Sequence, residues 1–157
     1  MPISRAALRH FFARAATNLH LWPGTGRFNV GSAKPASVLI GRALILCVDD
    51  NQTTLGLLNE VLASKGFVVL LASTAEQAVE ILRETPVSLV IADHMLRGTT
   101  GVELAAQFKA TKPTVPVVLH SGINPDTVRH VDAFIHKGEP VEAFLSLVSD
   151  LVKRFSS

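Results

Sequence analysis

Residues 45–50 read Ile-Leu-Cys-Val-Asp-Asp, a short apolar run that ends in two adjacent acids. The run begins at Ala43 and does not alternate with polar residues, which is typical of a strand buried on both faces. Four further apolar runs follow, each with polar residues after it. They are Phe67–Ala72, Val87–Ala92 before Asp93, Val115–Leu119 before His120-Ser121-Gly122, and Ala133–Ile135 before His136-Lys137. The sequence therefore predicts five buried strands.

Segments with helical spacing of apolar residues lie between these runs and after the last one. The first runs from Thr54 to Lys65 and stops at Gly66, a helix-ending residue. The others are Ala75–Leu82, Gly101–Ala110 and Val141–Phe155. Strands that alternate with helices form right-handed βαβ units and a parallel sheet. We therefore expect an α/β fold with a doubly wound parallel sheet.

Length and composition fit one folded domain with some additional chain. The chain has 157 residues, of which 48% are apolar and 18% charged, so it is not a low-complexity protein. The single cysteine, Cys47, excludes a disulfide framework and is expected to be inert core. This usage fits a reducing compartment, and no apolar run approaches the ~20 residues that span a bilayer. We expect a cytoplasmic location and no transmembrane segment.

Charge divides the chain at residue 42. Residues 1–42 hold five Arg, one Lys and no acid, a charge of +6. Residues 43–157 hold nine basic and thirteen acidic residues, a charge of −4, which gives the total of +2. The basic excess of the first quarter is therefore poor evidence that the folded part binds nucleic acid. We assign 1–42 to a basic N-terminal extension and 43–157 to the domain.

Four interpretations of this extension stay open. Residues 1–22 have apolar residues at helical spacing, which indicates an amphipathic helix for a partner or an interface, and the Gly, Pro and Ser of residues 23–37 indicate a linker. The arginine-rich, acid-free composition is also that of a targeting peptide. A flexible tail with no specific role and a wrongly assigned start of translation, with the true start near Val38, are the other two.

Acids end two of the predicted strands. Sites in parallel sheets form at the carboxyl ends of the strands, where Asp49, Asp50 and Asp93 are expected to meet. Three carboxylates repel one another unless a cation or a proton relieves them, and an oxygen-only cluster suits Mg²⁺. A carboxylate can attack phosphorus, while the Lys137 ammonium and the Ser121 hydroxyl can bind phosphoryl oxygens. The pattern indicates phosphoryl transfer to an aspartate.

A flavin- or nucleotide-binding enzyme is the rival interpretation from another class. Such a protein needs a Gly/Ser/Thr-rich loop after its first strand to hold phosphates. This chain has Asp49-Asp50-Asn51 there, whose negative charges repel a phosphate unless a metal bridges them. The sequence therefore disfavours this class.

Residues 43–155 resemble the receiver domain of two-component response regulators, in its stand-alone, single-domain form. The matching pieces, in order, are Leu46-Cys47-Val48-Asp49-Asp50, Val90-Ile91-Ala92-Asp93, Gly101, Leu119-His120-Ser121-Gly122 and Phe134-Ile135-His136-Lys137. Each piece is weak alone, but together they stand at the ends of strands one, three, four and five. The resemblance implies a flavodoxin-like fold, with a five-stranded parallel sheet in the order 2-1-3-4-5 and helices on both faces.

The resemblance implies a phosphoacceptor and a metal site. Asp93 matches the phosphoacceptor, Asp50 the direct metal ligand, and Asp49 the acid that holds the metal through water. Met95 matches the position whose backbone carbonyl binds the metal. The implied cofactor is Mg²⁺. The alternative for Asp50 is that it merely caps the following helix.

The resemblance also implies three residues that respond to the phosphoryl group. Ser121 matches the switch hydroxyl, Lys137 the phosphoryl-binding lysine, and Phe134 the aromatic whose rotamer follows the switch. The alternatives are a turn residue for Ser121, a solvated strand end for Lys137 and plain core for Phe134.

Three positions depart from the family pattern. Arg97 stands where the family usually has proline and Thr100 where it has an acid or Asn, so we expect a more mobile loop. Lys137 is followed by Gly138 rather than by a cis proline, which leaves the isomer of that peptide bond open. His120 and His136 keep a minor metal-pair possibility, provided that the last two strands bring them into register.

The fourth helix is expected to be shortened. Fifteen residues separate Ser121 from Lys137, and the last strand takes Asp132–His136. Pro125–His130 is then all that is left for a helix, fewer than two turns. The usual output face of the family must differ here.

The expected function is a phosphorylation-dependent switch that takes its phosphoryl group from a histidine kinase or a histidine phosphotransfer protein. The receiver would catalyse only its own phosphorylation and dephosphorylation, so it is not a metabolic enzyme. No DNA-binding domain is expected, and the downstream protein target is not readable. The alternative is a phosphorylation-independent adaptor with a receiver fold, which Arg97, Gly138 and the short fourth helix favour.

Overall fold

A computed structural model describes residues 43–156 of the chain. The predicted N-terminal helix and linker therefore lie outside the described residues. The strands are β1 (Leu44–Val48), β2 (Val68–Ala72), β3 (Leu89–Ala92), β4 (Met95–Leu96), β5 (Thr99–Thr100), β6 (Val117–Ser121) and β7 (Ala133–His136). The helices are α1 (Gln52–Ser64), α2 (Ala75–Glu84), α3 (Gly101–Thr111) and α4 (Val141–Phe155).

Five of the strands form one parallel sheet in the order β2-β1-β3-β6-β7. Because β4 and β5 pair only with each other, this is the predicted order 2-1-3-4-5, and the predicted α/β fold is confirmed. All four residues of β3, the central strand, are buried, as its unbroken apolar run predicted.

Helices cover both faces of the sheet. On one face α1 and α4 pack against alternate strand residues to form a continuous core. Its strand members are Ile45, Cys47, Leu89, Ile91, Val118 and Ile135. On the other face α2 and α3 contact each other, and Phe108 of α3 is 1% exposed. Cys47 is a buried free thiol, and burial raises its pKa, so it is inert core as predicted.

The register of the sheet places the strand ends at one edge. Val48 pairs with Ala92, so Asp49 and Asp93 leave neighbouring strands at the same height. Ala92 pairs with Leu119, and Ser121 pairs with His136, so β6 and β7 carry the chain beyond that height. This edge is therefore where the polar strand ends come together.

The segment between β6 and β7 contains no helix in the part of the chain that the structure describes. Residues 122–132 form bends and one turn, and His130 takes a left-handed conformation at φ 65°. The predicted shortening of the fourth helix is thus confirmed, and it extends to the loss of regular helix. One side of β7 consequently lacks the helix that this position would supply.

The segment after β3 forms a hairpin that the sequence did not predict. β4 and β5 pair in an antiparallel two-stranded sheet with Gly98 at φ 80° in the turn, and the greater mobility expected from Arg97 and Thr100 stays a prediction. Thr100 then begins α3 through a capping box, in which it exchanges hydrogen bonds with Glu103. The hydroxyl of Thr100 therefore serves the helix start.

Two smaller questions from the sequence are answered by the backbone. His120 pairs with Ile135 rather than with His136, so the two histidines are one position out of register and point to opposite faces. The prediction that His120 and His136 could bind a metal as a pair is therefore wrong. The described peptide bonds are all trans, the Lys137–Gly138 bond among them. Within residues 43–156, none of the helices has the length and apolar character that a membrane span requires.

Candidate functional site

Three carboxylates meet at the carboxyl edge of the sheet. Asp49, Asp50 and Asp93 each place one oxygen so that the three atoms lie within 4.8 Å of one another. The three side chains differ in exposure: Asp49 is buried, Asp93 is 11% exposed, and Asp50 faces solvent. The cluster thus combines a fixed inner acid with two accessible ones.

Asp49 is the structural centre of the cluster. Its Oδ1 accepts the backbone N–H of Asn51 at 2.9 Å, and its Oδ2 accepts from Lys137 Nζ at 3.0 Å. Asn51 is also the residue that caps α1, since its side-chain oxygen accepts the backbone N–H of Thr54 at 3.0 Å. The alternative that Asp50 caps this helix is therefore wrong, and the Asp50 carboxylate is left for the cluster.

Lys137 contacts both Asp49 and Asp93 from the neighbouring end of the sheet. Its Nζ lies 3.0 Å from Asp49 Oδ2 and 3.4 Å from Asp93 Oδ2, which excludes the solvated strand end as an interpretation. Partial burial lowers the pKa of Lys137, but the hydrogen bonds and charges of Asp49 and Asp93 outweigh it and raise the pKa overall. Lys137 is therefore held in its charged form.

Asp93 resists ionisation in spite of this lysine. Burial and the negative charge of Asp49 raise its pKa, while Lys137 and the backbone N–H of Met95 lower it by less. The net direction is upward, because burial disfavours the charged carboxylate and the charge of Asp49 adds repulsion. A further cation at the cluster would relieve the repulsion.

Ser121 ends the neighbouring strand with a buried hydroxyl. Its side chain is 1% exposed, and its Oγ accepts the backbone N–H of Ile123 at 3.2 Å. Its carbonyl oxygen accepts the backbone N–H of Lys137 at 2.9 Å. Ser121 is thus the last residue of β6, its hydroxyl accepts a hydrogen bond from the bend that follows, and its carbonyl is bonded to Lys137, which contacts Asp49 and Asp93.

Met95 and Phe134 stand at the margins of the site. The Met95 side chain is 57% exposed, and its backbone N–H bonds to the Asp93 carboxylate. Phe134 is half-buried on β7 opposite Leu119. Neither the metal-binding carbonyl expected of Met95 nor the switching rotamer expected of Phe134 is tested by these contacts, and both stay predictions.

Gly101 allows the end of β3 and the start of α3 to approach closely. A Cβ at this position would lie 2.5 Å from the Asp93 carbonyl oxygen and 2.7 Å from Leu119 Cδ2, closer than real contacts allow. The N–H of Gly101 also donates to the His94 carbonyl at 2.7 Å. The isolated glycine of the sequence motif is therefore required by packing beside Asp93.

His120, near the end of β6, is a half-buried histidine that contacts the core beside the site. Its ring packs on Phe144 with centroids 5.3 Å apart, and its Nδ1 has no hydrogen-bond partner among the described residues. Burial and then the charge of Lys137 lower its pKa to about 4. The sequence places His120 directly after the apolar run Val115–Leu119, but its packing on Phe144 depends on the tertiary fold.

The donor set fits a hard divalent cation and a phosphoryl group. The cluster offers only carboxylate oxygens, which Mg²⁺ prefers, and two of the three acids are accessible. Lys137, 30% exposed at its side chain, can direct its remaining donors to an anion. The arrangement can therefore bring a phosphoryl group to the Asp93 carboxylate.

Comparisons of sequence agree with this geometry. A family model described as the response regulator receiver domain matches residues 45–138, more than half of the chain. The chain is 29% identical over 130 residues to the transcriptional regulatory protein GlrR of Escherichia coli, covering 78% of this chain and 28% of that protein. It is 35% identical over 80 residues to a putative response regulator NtrX-like of Rickettsia bellii, covering 50% and 17%. The chain thus spans about a quarter or less of these relatives' length.

Solved structures of similar fold are receivers too. A CheY-like response regulator receiver domain protein from Methanospirillum hungatei superposes with a TM-score of 0.68 at 20% identity, covering 73% of this chain and 97% of that one. The response regulator TrrA of Thermotoga maritima, solved with Mg²⁺ and BeF, gives 0.66 at 24% identity, covering 69% and 98%. At these identities the likeness concerns the fold alone.

Proposed function

The chain belongs to the response regulator receiver domain family, and from that premise we propose that it is a phosphorylation-dependent signalling switch with Asp93 as the phosphoacceptor. One observation carries the assignment. Asp93 shares a 4.8 Å carboxylate cluster with Asp49 and Asp50, and Lys137 contacts two of the three acids. Packing alone does not require three acids and a lysine at one end of a sheet.

The proposed step is transfer of a phosphoryl group to a carboxylate. A carboxylate oxygen of Asp93 attacks the phosphorus of a phosphohistidine on a histidine kinase or a histidine phosphotransfer protein. An O–P bond forms, the N–P bond breaks, and the imidazole leaves with the electron pair and takes a proton from solvent. The product is an acyl phosphate on Asp93, which water later hydrolyses. Such a protein acts on itself and on its partner's phosphoryl group.

The site would hold Mg²⁺ during this step. Asp50 would be the accessible direct ligand, Asp49 the buried acid that holds the metal through water, and Asp93 and the Met95 carbonyl further ligands. Bound there, Mg²⁺ supplies positive charge that offsets the carboxylates and the phosphoryl oxygens. The raised pKa of Asp93 is compatible with this role, because burial and the charge of Asp49 both disfavour its ionised form and a bound cation would offset them.

Residues at the ends of β6 and β7 would respond to the phosphoryl group. It adds a charge of about −2, which attracts the Lys137 ammonium and a hydrogen bond from Ser121. Lys137 would then divide its contacts between Asp49 and the phosphoryl oxygens. Phe134, half-buried on the same strand as His136, is the side chain whose rotamer would follow. The new charge thereby shifts an equilibrium between two conformations of the domain that present different surfaces.

The partners follow from this chemistry. We propose a histidine kinase or a histidine phosphotransfer protein as the donor and a cytoplasmic location, where such donors are phosphorylated. Similar proteins are named transcriptional regulatory proteins, but the chain spans 28% of the first of them. The output target is proposed to be a protein that recognises a face without the helix between β6 and β7.

The adaptor interpretation makes a different prediction. A receiver fold kept only for protein binding would keep its surface contacts when the acids are neutralised. The Lys137 ion pairs with Asp49 and Asp93 oppose it, because a buried acid is costly to retain without use. The switch is therefore the function that the geometry supports best.

The test is phosphorylation of the full chain by acetyl phosphate, followed by intact mass. We expect one added phosphoryl group in the presence of Mg²⁺ and none with a chelator. Asp93→Asn is expected to abolish the addition. Asp126→Asn is the matched control, since Asp126 is an exposed aspartate in the loop between β6 and β7. A folded protein that binds Mg²⁺ but stays unmodified by acetyl phosphate and by a phosphorylated phosphotransfer protein would favour the adaptor.

A further inference from the structure

His136 makes two hydrogen bonds through opposite edges of its ring. Its Nδ1 accepts the backbone N–H of Gly138 at 3.0 Å, and its Nε2 lies 2.8 Å from the carbonyl oxygen of Gly122. Because Nδ1 accepts a hydrogen bond, it carries no proton, so the ring proton is on Nε2, which donates a hydrogen bond to the carbonyl oxygen of Gly122. The two contacts are satisfied together only by the neutral ring with its proton on Nε2.

These bonds join the two segments that carry the phosphoryl-binding residues. Gly122 directly follows Ser121, and Gly138 directly follows Lys137. The backbone bond from Lys137 N–H to the Ser121 carbonyl, at 2.9 Å, lies between them and ends the pairing of β6 with β7. The imidazole thus extends the link between the two strands by one residue on each side.

Gly138 is suited to this contact in a way that proline is not. The family usually has proline after the lysine, and proline has no N–H to donate. A Cβ at Gly138 would lie 3.2 Å from His136 Nδ1, so the absent side chain leaves room for the ring. Glycine in place of the usual proline therefore supplies both the N–H and the space that the His136 ring needs.

The arrangement lies where the fold has lost a helix. Residues 122–132 contain no helix, so the loop after Ser121 lacks the regular backbone bonds that a helix start would give it. The Gly122 carbonyl is instead held by a side chain of the neighbouring strand. The His136 ring is exposed, so nothing in the core requires it at this position.

From these contacts we infer that His136 is a positioning residue, which clamps the Ser121 and Lys137 segments together so that both phosphoryl-binding groups are in place before phosphorylation. The inference rests on the proposed function, since it assigns a role in the same site. His136 makes no hydrogen bond to any of the three carboxylates of the cluster, and it acts through Gly122 and Gly138. Losing it should therefore impair phosphoryl transfer more than metal binding.

The first test is the tautomer of His136, measured by ¹⁵N NMR of the imidazole in the full chain. We expect a neutral ring with the proton on Nε2 at pH 7.5. A ring protonated on Nδ1, or an averaged mixture of tautomers, would overturn the clamp. This measurement does not depend on phosphorylation.

The second test is the rate constant for phosphorylation by acetyl phosphate at saturating Mg²⁺. We expect His136→Ala to lower it about tenfold, as for the loss of two hydrogen bonds, with less than about twofold change in the Mg²⁺ concentration for half-saturation. His136→Gln, whose amide can still donate to Gly122, should recover part of the rate. Gly138→Pro, which removes the other donor, should lower the rate without altering the histidine.

His130→Asn is the matched control, because His130 is an exposed histidine in the loop between β6 and β7 and Asn tolerates its left-handed backbone. It should leave the rate unchanged. An unchanged rate in His136→Ala, or an equal loss of rate and Mg²⁺ affinity, would overturn the positioning role. A wild-type protein with the expected tautomer that takes no phosphoryl group would instead overturn the proposed function and the positioning role with it.

Discussion

Asp93 is pulled in two directions by its neighbours. Burial and the charge of Asp49 raise its pKa, while Lys137, 3.4 Å away, lowers it by less. The folded protein therefore binds a proton at Asp93 more readily than the unfolded chain does. This contribution to stability is full below the unfolded value of 3.8 and is lost as pH rises through the raised folded pKa.

Asp93→Asn is accordingly expected to stabilise the metal-free protein near neutral pH. The gain should stay below about 1 kcal/mol, because the side chain is partly solvated and solvent screens the repulsion. Urea unfolding in a chelator should show the difference from wild type growing as pH rises from 4 to 7. A variant that is less stable than wild type at pH 7 would contradict the raised pKa of Asp93.

His120 gives the opposite pH dependence. Its pKa falls from 6.5 to about 4 on folding, chiefly through burial beside Phe144, so its stabilising contribution is full above pH 6.5 and is lost as pH falls towards 4. We expect His120→Gln, which does not titrate, to lose less stability than wild type between pH 7 and pH 4.5. The difference should be on the order of 1 to 2 kcal/mol in urea unfolding. Parallel curves for the two proteins would contradict it.

At the scale of elements, one glycine fixes how α3 meets the end of β3. A methyl group at Gly101 would lie 2.5 Å from the Asp93 carbonyl oxygen, and that oxygen belongs to backbone that cannot easily move. Gly101→Ala is expected to lower the free energy of unfolding by about 2 to 3 kcal/mol, as overpacking does. Gly122→Ala is the matched control, because no atom lies within 4 Å of its added Cβ. Equal stabilities of the two variants would contradict the close approach.

The elements also show which parts of the fold could be predicted from the sequence. The strands of the main sheet and the helices were readable because apolar runs and helical spacing are local. The β4–β5 hairpin was not, because two-residue strands have no periodicity. The capping box of Thr100 and Glu103 has a recognisable sequence spacing, so the departure from the family pattern at Thr100 has a local structural reason.

Some site residues could be predicted from topology, whereas others depend on the register of the strands. Asp49, Asp93 and Lys137 each directly follow a strand of the parallel sheet, so topology alone brings them together. The histidines depend on the offset between β6 and β7, and that offset is set by tertiary packing rather than by local pattern. The two-sided hydrogen bonding of His136 needed both the offset and the bend at Gly138.

At the scale of the whole molecule, the site couples a local charge to overall stability. A cation that binds only the folded state stabilises it by mass action, by about 1.4 kcal/mol at ten times its dissociation constant. We expect Mg²⁺ to raise the melting temperature of the full chain, and Asp50→Asn to remove most of that rise. Because Asp50 is exposed, Asp50→Asn should leave the melting temperature in a chelator nearly unchanged. A rise that persists in the variant would place the cation elsewhere.

The claim that Asp93 accepts the phosphoryl group can be tested on the residue itself. Borohydride reduces an aspartyl phosphate to homoserine, which tandem mass spectrometry locates after proteolysis. The full chain, treated with acetyl phosphate and Mg²⁺ and then reduced, should contain homoserine at position 93 and unchanged aspartate at positions 49 and 50. Homoserine at position 49 or 50, or a phosphorylated protein with no homoserine at position 93, would contradict the account.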